Sequence, residues 1–129
     1  MIKVFIPSQV EFQYYKSECK NLYEKVQSQI TDTNTFEFII NNTLFYIYTD
    51  NNKLIGASYF FVKDDGNLYF NGFANRKMHD LCIKCLKMTL NWFKGSIYAE
   101  AQNRASALCL VKCGFKRVKD NLFVFNSKL

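Results

Sequence analysis

The most constraining stretch of this chain runs from residue 67 to residue 101. Residues 67–73 read as a strand, residues 80–94 as an amphipathic helix and residues 96–101 as a second strand. Asp80, Lys84, Lys87, Asn91 and Lys94 recur at alternating four- and three-residue steps and make a polar stripe. Leu81, Cys85, Met88 and Trp92 make an apolar one. Asp80 near the start and Lys94 near the end suit the helix dipole, and Gly95 ends the helix. A strand, a helix and a strand in that order form a crossover unit, whose strands lie parallel and whose connection is right-handed.

The flanks fill in the rest. Residues 3–6 read as a short strand, after which Pro7 and Ser8 open a helix, with Ser8 and Glu11 at capping-box spacing. Tyr15, Cys19, Leu22, Val26 and Ile30 share one helical face, and residues 31–35 break it. Residues 43–49, 54–62 and 67–73 are aromatic and β-branched strands, parted by Asp50-Asn51-Asn52 and Asp64-Asp65-Gly66 as hairpin turns. Residues 36–40 fit either a further strand or a helical turn. Asn103 is the N-cap of a helix running to Cys113, Gly114 sits at its left-handed C′ position, and Phe115 packs back on the last turn. Residues 115–118 and 122–125 close the chain as a hairpin around Asp120-Asn121. No repeat or linker interrupts this order. The expectation is one α/β (α+β) domain over residues 1–129, with a mixed, mostly antiparallel sheet flanked by helices.

Composition bounds the partners. Hydrophobic residues make up 49% of the chain and aromatics 17%, enough for a core and too much for a disordered segment. A net charge of +6 suits an anionic partner: a phosphorylated cofactor, nucleic acid or an acidic protein. Arg76, Arg104 and Arg117 are the only arginines, which speaks against base readout in nucleic acid. Lys84, Lys87 and Lys94, and likewise Lys112, Lys116, Arg117 and Lys119, read as solvated faces or as a surface for an acidic partner, nucleic acid or a cofactor phosphate. The N-terminus lacks a signal pattern, no apolar run reaches a membrane-spanning length, and the five cysteines are odd in number. A cytoplasmic chain with reduced thiols and no membrane contact is expected. The wealth of Lys, Asn, Ile, Phe and Tyr suits a low-GC genome, bacterial or viral. Cys82-x-x-Cys85 and Cys109-x-x-x-Cys113 have zinc-like spacing, yet both pairs lie in helices on or near apolar faces. They read as core cysteines, with no metal expected. His79, the one histidine, is a candidate general acid/base or a phosphate contact at a helix start.

The stretch from Ala99 through Asn103, Lys112, Gly114 and Phe115 resembles the second conserved block of the GNAT N-acetyltransferases, in which a strand leads to Asn, a helix and Lys-x-Gly-Phe. The element order is similar to that family's too. The first block departs from it. The family carries Arg or Gln, two residues, Gly, one residue, then Gly or Ala. Here the slot reads Asn75-Arg76-Lys77-Met78-His79-Asp80-Leu81, with His79 and Leu81 in the glycine places. Leu110 stands where the family commonly has a Tyr that protonates the leaving thiolate. The strand 67–73 has no carboxylate, and Glu100 is the nearest acid. The small acetyltransferase-like proteins of short tailed phages show a similar rhythm around Phe70-Asn71-Gly72-Phe73-Ala74-Asn75-Arg76-Lys77.

Two functions follow from the resemblance. The first is an acetyl-CoA-dependent N-acetyltransferase acting on an amine of a small molecule or protein. Arg76, Lys77 and His79 would face the pyrophosphate, Gly72 and Phe73 would line the pantetheine strand, and Asn103 would start the second half of the site. Glu100 and His79 are the candidate catalytic residues. The second is a silent protein of the same fold, working through an acidic protein partner or in virion assembly, in the host cytoplasm or the virion. It requires a filled cleft, with Phe73 and Tyr98 as plugs.

Overall fold

The computed structural model describes residues 1–27 and 32–127. β1 (Ile2–Phe5) leads to α1 (Val10–Val26) and α2 (Phe36–Asn42). The antiparallel strands β2 (Leu44–Asp50), β3 (Lys53–Val62) and β4 (Leu68–Ala74) follow. A single 3-10 turn, Arg76–Met78, enters α3 (His79–Leu90). Then come β5 (Ser96–Glu100), α4 (Arg104–Lys112) and the hairpin of β6 (Lys116–Lys119) and β7 (Leu122–Asn126). The seven strands form one sheet in the order β1-β2-β3-β4-β5-β7-β6. Among the described residues only the β4–β5 pair is parallel. The crossover read from residues 67–101 therefore exists, in a mostly antiparallel sheet.

Turn chemistry fixes much of this. Asn51 and Asn52 both have positive φ, 50° and 64°, as a two-residue turn between β2 and β3 requires. Gly114 has φ +98°; its N–H donates to Val111 O and the Phe115 N–H to Leu110 O. That double bond pattern is the Schellman closure, and Phe115 is buried behind it.

The sheet separates two aromatic cores. On one face α1 and α2 bring Phe12, Tyr23, Phe36 and Ile39 onto Phe45, Tyr59 and Phe73. On the other, Leu86 and Leu90 of α3 and Leu110 of α4 pack on Phe60, Phe70, Ile97 and Phe123. A buried polar chain threads the first core. The Tyr59 hydroxyl donates to Asp32 Oδ2 (2.7 Å), and Asp32 Oδ1 accepts the Asn34 N–H (2.7 Å). Burial and the Asp32 carboxylate push the Tyr59 hydroxyl far up, so it stays a donor.

Three expectations change, and one open alternative is settled. α1 starts at Val10, and Ser8 and Glu11 make no capping box. Pro7 and Ser8 sit inside a turn closed by the Gln9 N–H on Ile6 O (3.0 Å), and Gln9 Oε1 accepts the Ile6 N–H (2.8 Å). Residues 36–40 are helical, because Thr35 Oγ1 caps α2 by accepting the Phe38 N–H (3.1 Å). α3 ends at Leu90, four residues before Lys94. The Trp92 and Phe93 N–H groups reach back three residues, to Thr89 O and Leu90 O, and unwind the helix. Its buried face is Cys85, Leu86, Thr89 and Leu90, while Met88 and Trp92 are exposed. Thr89 takes a core place because its hydroxyl pairs with that of Tyr48 (2.6 Å) and donates to Cys85 O (2.9 Å). Ile30 and Thr31 lie outside the described residues.

Candidate functional site

The β4–β5 ladder is short. It is registered only at Leu68–Ile97 and Tyr69–Tyr98. Beyond that rung β4 runs on to Ala74 paired with β3, and β5 runs on to Glu100 paired with β7. The two strands part, and backbone groups on their facing edges lose a strand partner. Such groups need water or a ligand. The gap is the floor of a cleft of about 460 Å³. α3 lines it with His79, Cys82, Ile83 and Leu86, and α4 with Ser106, Cys109 and Leu110, followed by its C-cap Cys113. That volume is in the range of ligand sites.

Of the residues singled out in the sequence, Gly72, Phe73, Arg76, His79, Glu100 and Asn103 line this cleft. Lys77 does not; it is exposed on the 3-10 turn, whose start is capped by the Asn75 side chain accepting the Lys77 N–H (3.2 Å). Phe73 and Tyr98 are not plugs. The Phe73 ring lies against Tyr23 (5.4 Å) and Phe45 (6.4 Å) in the first core, and the Tyr98 ring lies tilted against Tyr69 (5.7 Å). The cleft is open, which counts against the silent-protein alternative, since that alternative requires a filled one.

Each remaining residue has a local setting. Glu100 is ion-paired with Lys63, which reaches across from the end of the β3–β4 hairpin. Asn103 and Ser106 form a reciprocal capping box: Asn103 Oδ1 accepts the Ser106 N–H (2.9 Å) and Ser106 Oγ accepts the Asn103 N–H (3.3 Å). Replacing Asn103 with Ala is expected to lower stability by about 1 kcal/mol through the lost cap, read as a lower urea midpoint. An unchanged midpoint would refute that role. Asp80 is exposed on the first turn of α3.

Sequence reasoning missed the cysteines as cleft residues. All five are free thiols. Burial pushes the Cys82 thiol up to about 12 and that of Cys113 to about 11, so both are protonated at neutral pH. Cys109 is half-buried, and its Sγ lies 3.3 Å from His79 Nε2. Helical periodicity gives no sign of a contact between two different helices. Among the described residues no three His, Cys, Asp or Glu side chains converge as a metal-binding group.

No family model and no curated protein sequence matches the chain. Solved structures do. An N-acetyltransferase from Staphylococcus aureus Mu50 aligns with TM-score 0.70 at 14% identity, over 98% of this chain and 97% of that one. An aminoglycoside acetyltransferase in complex with coenzyme A aligns with TM-score 0.70 at 15% identity, over 98% and 95%. A GNAT-family acetyltransferase from S. aureus Mu50 aligns with TM-score 0.58 at 13% identity, over 99% and 100%.

The chain has the GNAT fold.

At these identities the likeness is one of fold, and the chemistry must come from the cleft itself. Within the GNAT fold the departures of this sequence are now located. The glycine places of the first block hold His79 and Leu81, in the first turn of α3, both half-buried. Leu110 is buried in the second core and offers the cleft no proton.

Proposed function

We propose that the cleft binds an acyl-CoA and that the chain transfers its acyl group to an amine. The supporting observation is the open gap between β4 and β5, flanked by the N-terminal turn of α3. Arg76 and His79 bring cationic and hydrogen-bonding groups to the rim where a helix N-terminus favours phosphate, and Lys77 adds positive field from outside the cleft. Asp80 opposes them. Gly72 lies on β4 beyond the last rung with β5, so an extended amide chain laid in the gap can bond the backbone there. An aminoglycoside acetyltransferase of this fold, which carries coenzyme A, supports an amine-bearing small molecule as the acceptor.

An acyl-CoA supplies an activated thioester carbonyl. The protein needs to hold an amine against it, and positioning alone supplies much of the rate in such reactions. Glu100 is the cleft carboxylate available to take the ammonium proton, and its Lys63 partner holds it at the end of β5.

Titration calorimetry with acetyl-CoA tests the reading. Saturable heat is expected, with weaker binding after Arg76→Ala. No heat at millimolar acetyl-CoA would sink it.

A further inference from the structure

One ammonium group of the chain already stands where the reaction above needs an amine. Lys63, just past the end of β3, reaches over β4 to β5 and pairs with Glu100. On the way its Nζ lies 4.3 Å from the centre of the Tyr69 ring. Tyr69 is held by its hydroxyl, which donates to Asp65 Oδ2 (2.7 Å), and by the Tyr98 ring at 5.7 Å. An aromatic face beside a carboxylate is a site for a cation.

The site lies on the opposite side of the sheet from α3 and α4. Side chains alternate along a strand, so Tyr69 and Asn71 share the face of Phe73, towards α1 and α2. Their contacts place Lys63, Tyr98 and Glu100 on that face too. α3 and α4 pack on the other. The cleft joins the two faces, because Val26 of α1 lines it together with Leu86 of α3 and Leu110 of α4. An amine on one side can therefore meet a thioester laid in from the other. Asn71 and Glu100, both lining the cleft, each lie two residues past the last rung between β4 and β5. Arg76 is five residues further on from Asn71, up to about 16 Å at about 3.3 Å per residue. An acyl-CoA with its phosphates at the start of α3 has that length in which to lay its arm and bring its thioester to Glu100.

We propose that Lys63 is itself an acyl acceptor, modified on Nζ by the acyl-CoA bound to the same chain. This rests on the acyl-CoA reading above. Glu100 takes one proton from the Lys63 ammonium. The freed amine attacks the thioester carbonyl, the C–N bond forms and the C–S bond breaks. The departing thiolate takes a second proton from the nitrogen, and Glu100 returns its own to water. One acyl-CoA and one lysine give one N-acyl-lysine and one CoA, without an oxidant or metal. The modified side chain carries no charge, so the ion pair is lost and the Glu100 carboxylate is free for another amine.

The test is to incubate the whole protein with acetyl-CoA and no added amine, then read intact mass and map the modified peptide. One acetyl group on Lys63, stable to neutral hydroxylamine, and one equivalent of free CoA are expected. The rate per molecule should not change on dilution of the protein, because donor and acceptor sit on one chain. Lys63→Arg should lose the fast label, whereas Lys94→Arg, at an exposed position after α3, should label as the parent does. Glu100→Gln should slow labelling by about 10²- to 10⁴-fold. A carboxylate beside an ammonium favours the charged form, so losing it would quicken an uncatalysed reaction, and slowing is the mark of a base. Heat of acetyl-CoA binding with Lys63 labelled no faster than Lys94 would overturn the proposal and leave the cleft reading standing. Should acetyl-CoA give no heat, the S-acetyl thioester of N-acetylcysteamine, which lacks the nucleotide, decides Lys63 by itself. Labelling of Lys63 ahead of Lys94 there supports the acceptor site, and equal labelling overturns it.

Discussion

Phe45→Ala should unfold at a much lower denaturant concentration than the parent, with a loss of about 3–5 kcal/mol. The residue is buried in β2 at the point where both helices of one layer meet the sheet. Its ring contacts Phe12 of α1 at 6.1 Å, Phe36 of α2 at 5.9 Å, Tyr59 of β3 at 5.8 Å and Phe73 of β4 at 6.4 Å. Truncation removes the transfer free energy of the ring and leaves a cavity whose walls come from four elements. Aromatic walls fixed by their own neighbours collapse poorly, which puts the cost near the top of the range. Domains of this size are stable by only about 5–15 kcal/mol, so the variant loses a large share of the total. The comparison is Phe38→Ala, two residues along α2 from Phe36 and about half-exposed, at 48%. It should shift stability by no more than about 0.5 kcal/mol. Urea melts with unchanged slope and a far lower midpoint for Phe45→Ala alone are the expected result. Equal midpoints for the two variants would show that the aromatic cluster does not hold the helices to the sheet.

Much of the fold was legible because it rests on local chemistry. The parallel pair β4–β5 follows from one helix between two strands. The end of α4 follows from Asn103 and Gly114, whose bonds lie within a few residues. Strand bounds read from aromatic and β-branched runs fall within a residue of those observed, since the hairpin turns at Asn51-Asn52 and Asp120-Asn121 fix the register. What was not legible depends on distant partners. Thr89 is absent from the apolar stripe read in the sequence, and its core place depends on the hydroxyl of Tyr48, 41 positions away. Ser8 and Glu11 have the right spacing for a cap, but Gln9 takes the local bonds first. In the site the same division holds. Gly72, Arg76, His79, Glu100 and Asn103 were reached through the resemblance, and the cleft contains them. The Lys63–Glu100 ion pair and the His79–Cys109 contact join residues 37 and 30 positions apart. Neither a periodicity nor a cap encodes them.

Gly56→Val should damage both the fold and the cleft, and the two losses have one cause. Gly56 pairs with Ala74 at the end of β4, just before the chain turns into the 3-10 turn and α3. A Cβ placed on Gly56 would sit 2.5 Å from Phe73 O, 2.9 Å from Ala74 Cα and 3.0 Å from Cys82 Sγ. The first two are backbone atoms, so a rotamer change cannot relieve them. The third belongs to the first turn of α3, which rests on the bare glycine. The Asn75 N–H, bonded to Ile55 O at 2.8 Å, ties the same corner. A valine there must push β4 away from β3 or lift α3, at an overpacking cost of about 1–3 kcal/mol. Either shift changes the gap that β4 and α3 border. Acetyl-CoA affinity should therefore fall together with the urea midpoint. Gly66→Ala separates the two effects. Its φ of +80° makes a side chain unfavourable by about 1–2 kcal/mol, but nothing lies within 4 Å of the added carbon and the turn is not part of the cleft. That variant should lose stability and keep its affinity. If Gly56→Val keeps its affinity too, the corner at Gly56 does not set the cleft.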